Sequence, residues 1–242
     1  MKTERRIEYL SPDEFQALMD QRPILYLPCG LIEWHGHHLP LGLDGLKMYG
    51  TILGCAERTG GVVLPLNWIG APGFGSFCGS MTYSPAFVKD LLKQMLRQCG
   101  KMGAKVVAMT TGHYGKSQED TVRAAGAEFM AEHPEVLVLA RPEFEGATVD
   151  GAKPADHGGK WETSMGMALF PELVHMDRHR PGVEEIHLYA EQWADWDEEK
   201  EPWKWWQDLR EVSSPELGQK AVKAIQDSIV AGVEELCRKA GI

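Results

Sequence analysis

The sequence predicts an α/β domain of three layers, with helices covering both faces of a mainly parallel central sheet. Three observations predict it. Short apolar runs bounded by turn residues alternate with longer amphipathic segments along the 242 residues. The runs are continuously apolar, as strands buried on both faces require. The polar clusters fall directly after these runs, where ligands of parallel sheets gather.

The elements follow in order. Residues 12–20 read as a short helix. Ile24-Leu25-Tyr26-Leu27 reads as a buried strand ending at Pro28 and Gly30. Residues 45–58 read as a helix, and 62–66 as the next strand. Residues 85–102 carry apolar side chains at Phe87, Val88, Leu91, Leu92, Met95 and Leu96, spaced for a helix. Val106 to Met109 form a third strand, closed by a turn at Gly112. Residues 117–133 are helical, and 136–139 make a fourth strand. Ser214-Pro215 opens the last helix, serine as cap and proline in the first turn. Its stripe is Leu217, Ala221, Val222, Ile225, Ile229, Val233 and Leu236. With no repeat or low-complexity linker, residues 1–242 read as a single domain.

Composition narrows the function. The 35 acidic and 25 basic residues give a net charge of -10. Such a surface repels phosphate backbones and anionic lipid, so neither nucleic acid nor membrane is an expected partner. The charged start MKTERRIEYL lacks an apolar leader, and no run approaches the ~18 apolar residues of a membrane span. Cys29, Cys55, Cys78, Cys99 and Cys237 are scattered, with no CxxC. Free thiols in a reducing cytoplasm are expected, and a cysteine zinc site is excluded.

Three polar clusters carry the candidate chemistry. The first runs from Glu33 through His35, His37 and His38 to Asp44. Mixed carboxylates and imidazoles suit Zn, Mn or Fe. Glu33 and His35 are two apart, so an extended chain points both to one side. The second is Thr111-Gly112-His113-Tyr114-Gly115, a histidine in a turn after a buried strand. The third is Asp156-His157-Gly158-Gly159-Lys160-Trp161-Glu162-Thr163-Ser164. His157 lies in a glycine loop that would let it swing. Glu162 lies in the first turn of a helix, where an acid also serves as a dipole partner. No GxSxG elbow and no phosphate-binding glycine motif offers a rival chemistry.

The first cluster, E-x-H-G-x-H-L-P-L-x-x-D over Glu33 to Asp44, resembles the creatininase (creatinine amidohydrolase) family. Gly112-His113 and the H-G-G-x-x-E-T-S segment from His157 to Ser164 are similar to two further motifs of it. Phe77-Cys78-Gly79-Ser80 resembles its F-P-G-T turn. The resemblance implies a metal-dependent hydrolase with one or two divalent ions (Zn, Mn or Fe), in a cytoplasmic homo-oligomer, often a hexamer. It implies Glu33, His35, Asp44 and His113 as ligands, with Asp44 the bridge if two ions bind. His157 matches the proton carrier, and Tyr114, Ser80 and Lys153 match substrate-side positions. The family's glutamate two residues after His113 is Gly115 here, and Glu162 matches a later acid able to replace it as ligand and in catalysis. Lys153 replaces a tryptophan that helps hold creatinine.

The expected reaction is metal-assisted hydrolysis of a C–N bond in a cyclic amide or formamide of small size. Ring opening of a cyclic ketone such as an oxidised inositol fits nearly as well. An inactive metal-binding protein and a metal-dependent sugar isomerase are the rivals from other classes. Five of the eight tryptophans (Trp193, Trp196, Trp203, Trp205 and Trp206) lie in residues 193–206. So much aromatic surface is expected to be covered, first by a neighbouring subunit, otherwise as a lid or as a loop packed on its own domain.

Overall fold

The structure, a computed structural model, describes residues 3–184 and 203–242. Its central sheet has four parallel strands: β1 (Ile24–Cys29), β2 (Val62–Val63), β3 (Val106–Thr111) and β4 (Leu137–Pro142), in the order β2-β1-β3-β4. Three helices cover one face: α1 (Pro12–Gln21), α3 (Pro85–Lys101) and α4 (Lys116–Glu132). Three cover the other: α2 (Leu43–Thr59), α5 (Lys160–Leu169) and α7 (Pro215–Ala240). A short antiparallel pair, β5 (Val183–Glu184) with β6 (Trp203–Lys204), and the short helix α6 (Leu209–Val212) complete the described elements.

The three-layer expectation therefore holds, and the pleat explains it. Leu25, Leu27, Val107 and Met109 face the α3/α4 layer. Ile24, Tyr26, Val106 and Ala108 face the α2/α7 layer. Every residue of β1 and β3 is buried, so neither face tolerates polar alternation.

All four strands differ in their limits from the sequence reading: β3 extends to Thr111 and β4 spans Leu137–Pro142, and the limits of β1 and β2 have a proline as their cause. β1 runs through Pro28 to Cys29. The Pro28 carbonyl accepts from Asn67 N on the β2 side, so the missing N–H also faces the side where regular β2 pairing has ended. β2 stops at Val63, two residues before Pro65, which cannot donate to a ladder. The Ser214 cap agrees with expectation, its hydroxyl accepting from Leu217 N on α7; Ser11 and Glu14 form a further reciprocal capping box on α1.

The topology places the site. From β1 the chain crosses over α2 to β2 on one side. It returns over α3 to β3 on the other side. The crevice beyond the carboxyl ends of β1 and β3 is thus a topological switch point. Gly30, at the end of β1, packs directly on the Gly45 backbone at the start of α2. A side chain at Gly30 would strike backbone, which cannot yield. Gly30→Ala should therefore cost about 1–3 kcal/mol of stability, read as a lower urea midpoint; an unchanged midpoint would contradict this packing.

Candidate metal centre

Four segments converge on that crevice. Glu33 and His35 follow β1, Asp44 opens α2, His113 follows β3, and Glu162 lies in the first turn of α5. All five are buried. The His35 ring nitrogen Nδ1 donates to the Glu33 carbonyl at 3.0 Å. That bond turns Nε2 toward Asp44 Oδ1 (3.1 Å), Glu162 Oε2 (3.6 Å) and Glu33 Oε2 (3.8 Å). His113 Nδ1 lies 3.1 Å from Glu33 Oε2 and 3.3 Å from Asp44 Oδ2. Asp44 thus presents one oxygen to each histidine. Glu33-Asp44-His113 and His35-Asp44-Glu162 each bring three ligand atoms within 4.8 Å of one another, as does Glu33-His35-His157.

Glu162 is not spent on the helix dipole. The carboxylate of Asp156 caps α5 instead, accepting from Trp161 N at 2.8 Å and Glu162 N at 3.1 Å. Glu162 is left to accept from Gly158 N at 2.7 Å and to face the cluster. Of the other histidines in the first motif, His38 bonds Thr163 at 3.0 Å and His37 meets Arg180 at 3.2 Å.

The charges fix one another. Burial opposes ionisation of Asp44, but His35, His113 and Lys47 outweigh it and hold its carboxyl well below the usual range. Burial likewise opposes charge on His35, yet Asp44 and Glu162 raise its pKa to about 9. His113 is also raised, against burial, chiefly by Glu33 and Asp44. Burial pushes Glu162 up to about 7 while Lys47 and His35 pull it down. His157 goes the other way, down to about 3, through burial and then the neighbouring His35.

His157 does not sit in a swinging loop. Its ring stacks on Phe74 (centroids 3.8 Å) and lies 4.5 Å from the His35 ring. Gly158 is there for close packing: a Cβ would come within 2.8 Å of the His35 carbonyl and 2.9 Å of Trp205, at a φ of +54°. His157 Nδ1 is 4.0 Å from Glu33 Oε2, and Nε2 is buried without a partner.

A cavity of about 380 Å³ opens on this floor, lined among others by Tyr114, Gly115, Phe144, Lys153 and His157. The Tyr114 hydroxyl is already committed, to Glu143 at 2.5 Å and to Lys47 at 2.8 Å. Lys153 lies over the Phe144 ring at 4.4 Å. Ser80 lies outside the cavity lining; its hydroxyl accepts from Trp34 N at 3.0 Å and so holds the first motif in place. Gly115 has no room for a long side chain without adjustment, a Cβ lying 3.1 Å from His113 Nε2.

Of the tryptophan segment, Trp193 and Trp196 lie outside the described residues. Trp205 is buried with Trp34, Phe77 and Leu209. Trp203 meets the His157 ring edge-on at 5.2 Å and Phe74 at 5.1 Å. These two pack on the chain's own site, while Trp206 is 83% exposed.

Lys47 and Glu143 are absent from the sequence reading. Lys47 is fully buried and donates to Gly112 O (2.5 Å), Glu143 (2.7 Å) and Tyr114 OH (2.8 Å), with Glu162 Oε1 at 3.1 Å and Asp44 Oδ1 at 3.9 Å. Two signals pointed to them. Lys47 lies one helical turn beyond Asp44, and Glu143 directly follows β4 as His113 follows β3. Lys47→Met would leave Glu143 and Glu162 buried without their cation. It should lower stability by about 3–5 kcal/mol, and a wild-type urea midpoint in this variant would show that the ion pairs carry little.

The family model for creatininase, described as creatinine amidohydrolase, matches residues 8–233. The chain is 28% identical over 179 residues to a creatinine amidohydrolase of Pseudomonas putida, spanning 64% of this chain and 67% of that protein. It is 27% identical over 173 residues to a mycofactocin precursor peptide peptidase of Mycobacterium ulcerans (strain Agy99), covering 66% and 64%. These matches span about two thirds of each relative. A crystal structure of creatinine amidohydrolase superposes with a TM-score of 0.74 at 20% identity, covering 96% of this chain and 97% of the other. A manganese form of creatininase superposes at 0.73, with 20% identity and 96% and 98% coverage. With the family match extending over nearly its whole length, the chain belongs to the creatininase family.

Proposed function

We propose that the chain is a metal-dependent amidohydrolase that cleaves a C–N bond of a small cyclic amide or formamide. One observation carries the reading: Asp44 presents an oxygen to each of two buried ligand triads. The donor set is carboxylate and imidazole, which suits zinc, manganese or iron. Glu33 Oε2 and Asp44 Oδ2 are buried, face His113 Nδ1 at 3.1 and 3.3 Å and lack hydrogen bonds of normal geometry, an expensive arrangement that a cation would relieve. The manganese and zinc–zinc creatininase structures among the similar folds point the same way.

Glu33, His35, Asp44 and His113 are the proposed ligands, with Glu162 beside them. When bound, the ion supplies a water ionised near neutral pH and a Lewis acid for the carbonyl. The protein supplies the rest. His157, with Nδ1 4.0 Å from Glu33 Oε2 and Nε2 lacking a partner, is the proposed group that accepts a proton and returns it to the leaving nitrogen. Phe74, Trp34 and Trp203 surround it and exclude water. Lys153, above Phe144, is the proposed substrate contact at the mouth. The cavity's size suits a small molecule better than an extended chain. We further propose a cytoplasmic homo-oligomer, a hexamer in the family's manner. The five unpaired cysteines support the compartment. The apolar hollow around Leu66, Trp68, Leu91 and Met95 supports burial by a second copy.

Asp44→Ala should abolish both bound metal, read by elemental analysis, and hydrolysis of a panel of cyclic amides and formamides. His157→Ala should cut turnover by roughly 10² to 10⁴ while sparing the metal. Retained metal in the first variant, or lost metal in the second, would reassign those residues.

Metal affinity should also depend on pH. The neighbouring Glu33 and Asp44 raise the His113 pKa well above the usual histidine range and so favour its protonated form in the metal-free chain. Ligation needs it neutral, so binding must expel a proton. Apparent zinc affinity should rise between pH 6 and pH 9. Calorimetry in buffers of different ionisation enthalpy should register proton release; a flat profile would contradict this.

A further inference from the structure

We propose that the Lys47 ammonium stands in for one of two cations at this centre, so that the site takes a single divalent ion, held against Glu33, Asp44 and His113, while His35 stays paired with Asp44 Oδ1 and Glu162 and is not needed as a ligand. The inference rests on the metal-dependent reading above and specifies it.

The two triads that share Asp44 are not equally open. In Glu33-Asp44-His113, the facing oxygens Glu33 Oε2 and Asp44 Oδ2 meet His113 Nδ1 at 3.1 and 3.3 Å, without hydrogen bonds of normal geometry. In His35-Asp44-Glu162, the carboxylate of Glu162 is already claimed on both sides. Its Oε1 is 3.1 Å from Lys47 Nζ, and its Oε2 accepts from Gly158 N at 2.7 Å. Asp44 Oδ1, the oxygen on that side, sits 3.1 Å from His35 and 3.9 Å from Lys47. An ion in this second triad would lie within a few ångströms of the ammonium, in an interior where like charges repel strongly.

The ammonium is anchored in place: Lys47 is fully buried on α2, and Gly112 O, Glu143 and Tyr114 OH all accept from its nitrogen. Gly115, on the cavity wall, offers no donor to complete a second coordination shell.

The test is a count of ions per chain. The full-length protein is dialysed against excess zinc, freed of loose metal, and measured by elemental analysis and native mass spectrometry. Wild type should hold one zinc. Lys47→Met should hold two, because the second triad regains a vacant carboxylate. Glu162→Gln should still hold one, because its carboxylate serves the lysine and not the ion. Two zinc ions in wild type would overturn the proposal. So would a single ion in folded Lys47→Met, or none in Glu162→Gln. Should Lys47→Met fail to fold, the wild-type and Glu162→Gln counts decide alone. A wild type that binds no zinc would instead overturn the metal-dependent reading itself, a result distinct from two ions.

Discussion

The constraint on which the structure depends is the burial of the Asp44 carboxylate. An isolated carboxylate at that depth would be protonated. Asp44 is instead held well below the usual carboxylate range because His35, His113 and Lys47 surround it. Each partner is buried as well and is stable there only in the company of the acids. No member of the set can be removed without stranding another, which is why the cluster assembles from four separate segments. Formation of the site and folding of the sheet ends are therefore one event: β1, β3, α2 and α5 must all be in place before any of the charges is compensated.

The apolar shell divides the histidines by role. His35 and His157 lie 4.5 Å apart by ring centroid, yet one is raised to about 9 and the other lowered to about 3. The difference is orientation. His35 aims Nε2 into the carboxylates, whereas His157 lies flat on Phe74 with only Glu33 at the edge of reach. Environments that push two like groups apart in this way assign different tasks to them. The same aromatics fix His157 by stacking, so precision comes from packing and not from a mobile glycine loop.

The layers, the helix starts and most strands were legible from apolar runs and capping residues, because those signals are local. Glu33, His35, Asp44 and His113 were legible because each sits at a strand end or in a dense motif. The role of Ser80 was not, since a hydroxyl that holds Trp34 N looks in sequence like one that faces a ligand. Lys47 was hidden for a deeper reason. A lysine in mid-helix ordinarily reads as a solvated residue, and only the fold reveals that Glu143, from a strand 96 positions away in sequence, meets it. Pro28 was misleading in the opposite direction, since its cost depends on where β2 ends.

The cavity's two ends differ in their charged groups. The floor is a dense set of carboxylates held among His35, His113 and Lys47. The other end carries Lys153 over Phe144, together with Glu119 and with Lys116, whose charge Asp120 meets at 2.6 Å. Tyr114 and Phe144 meet edge to face, with ring centroids 4.9 Å apart, between the two ends. They offer aromatic ring surface to a flat ring, while the tyrosine hydroxyl is committed to Glu143 and Lys47. The wall that would read the substrate and the lysine that sets the charge of the floor are thus joined by one hydrogen-bond network. A change at the floor is felt at the wall through Tyr114.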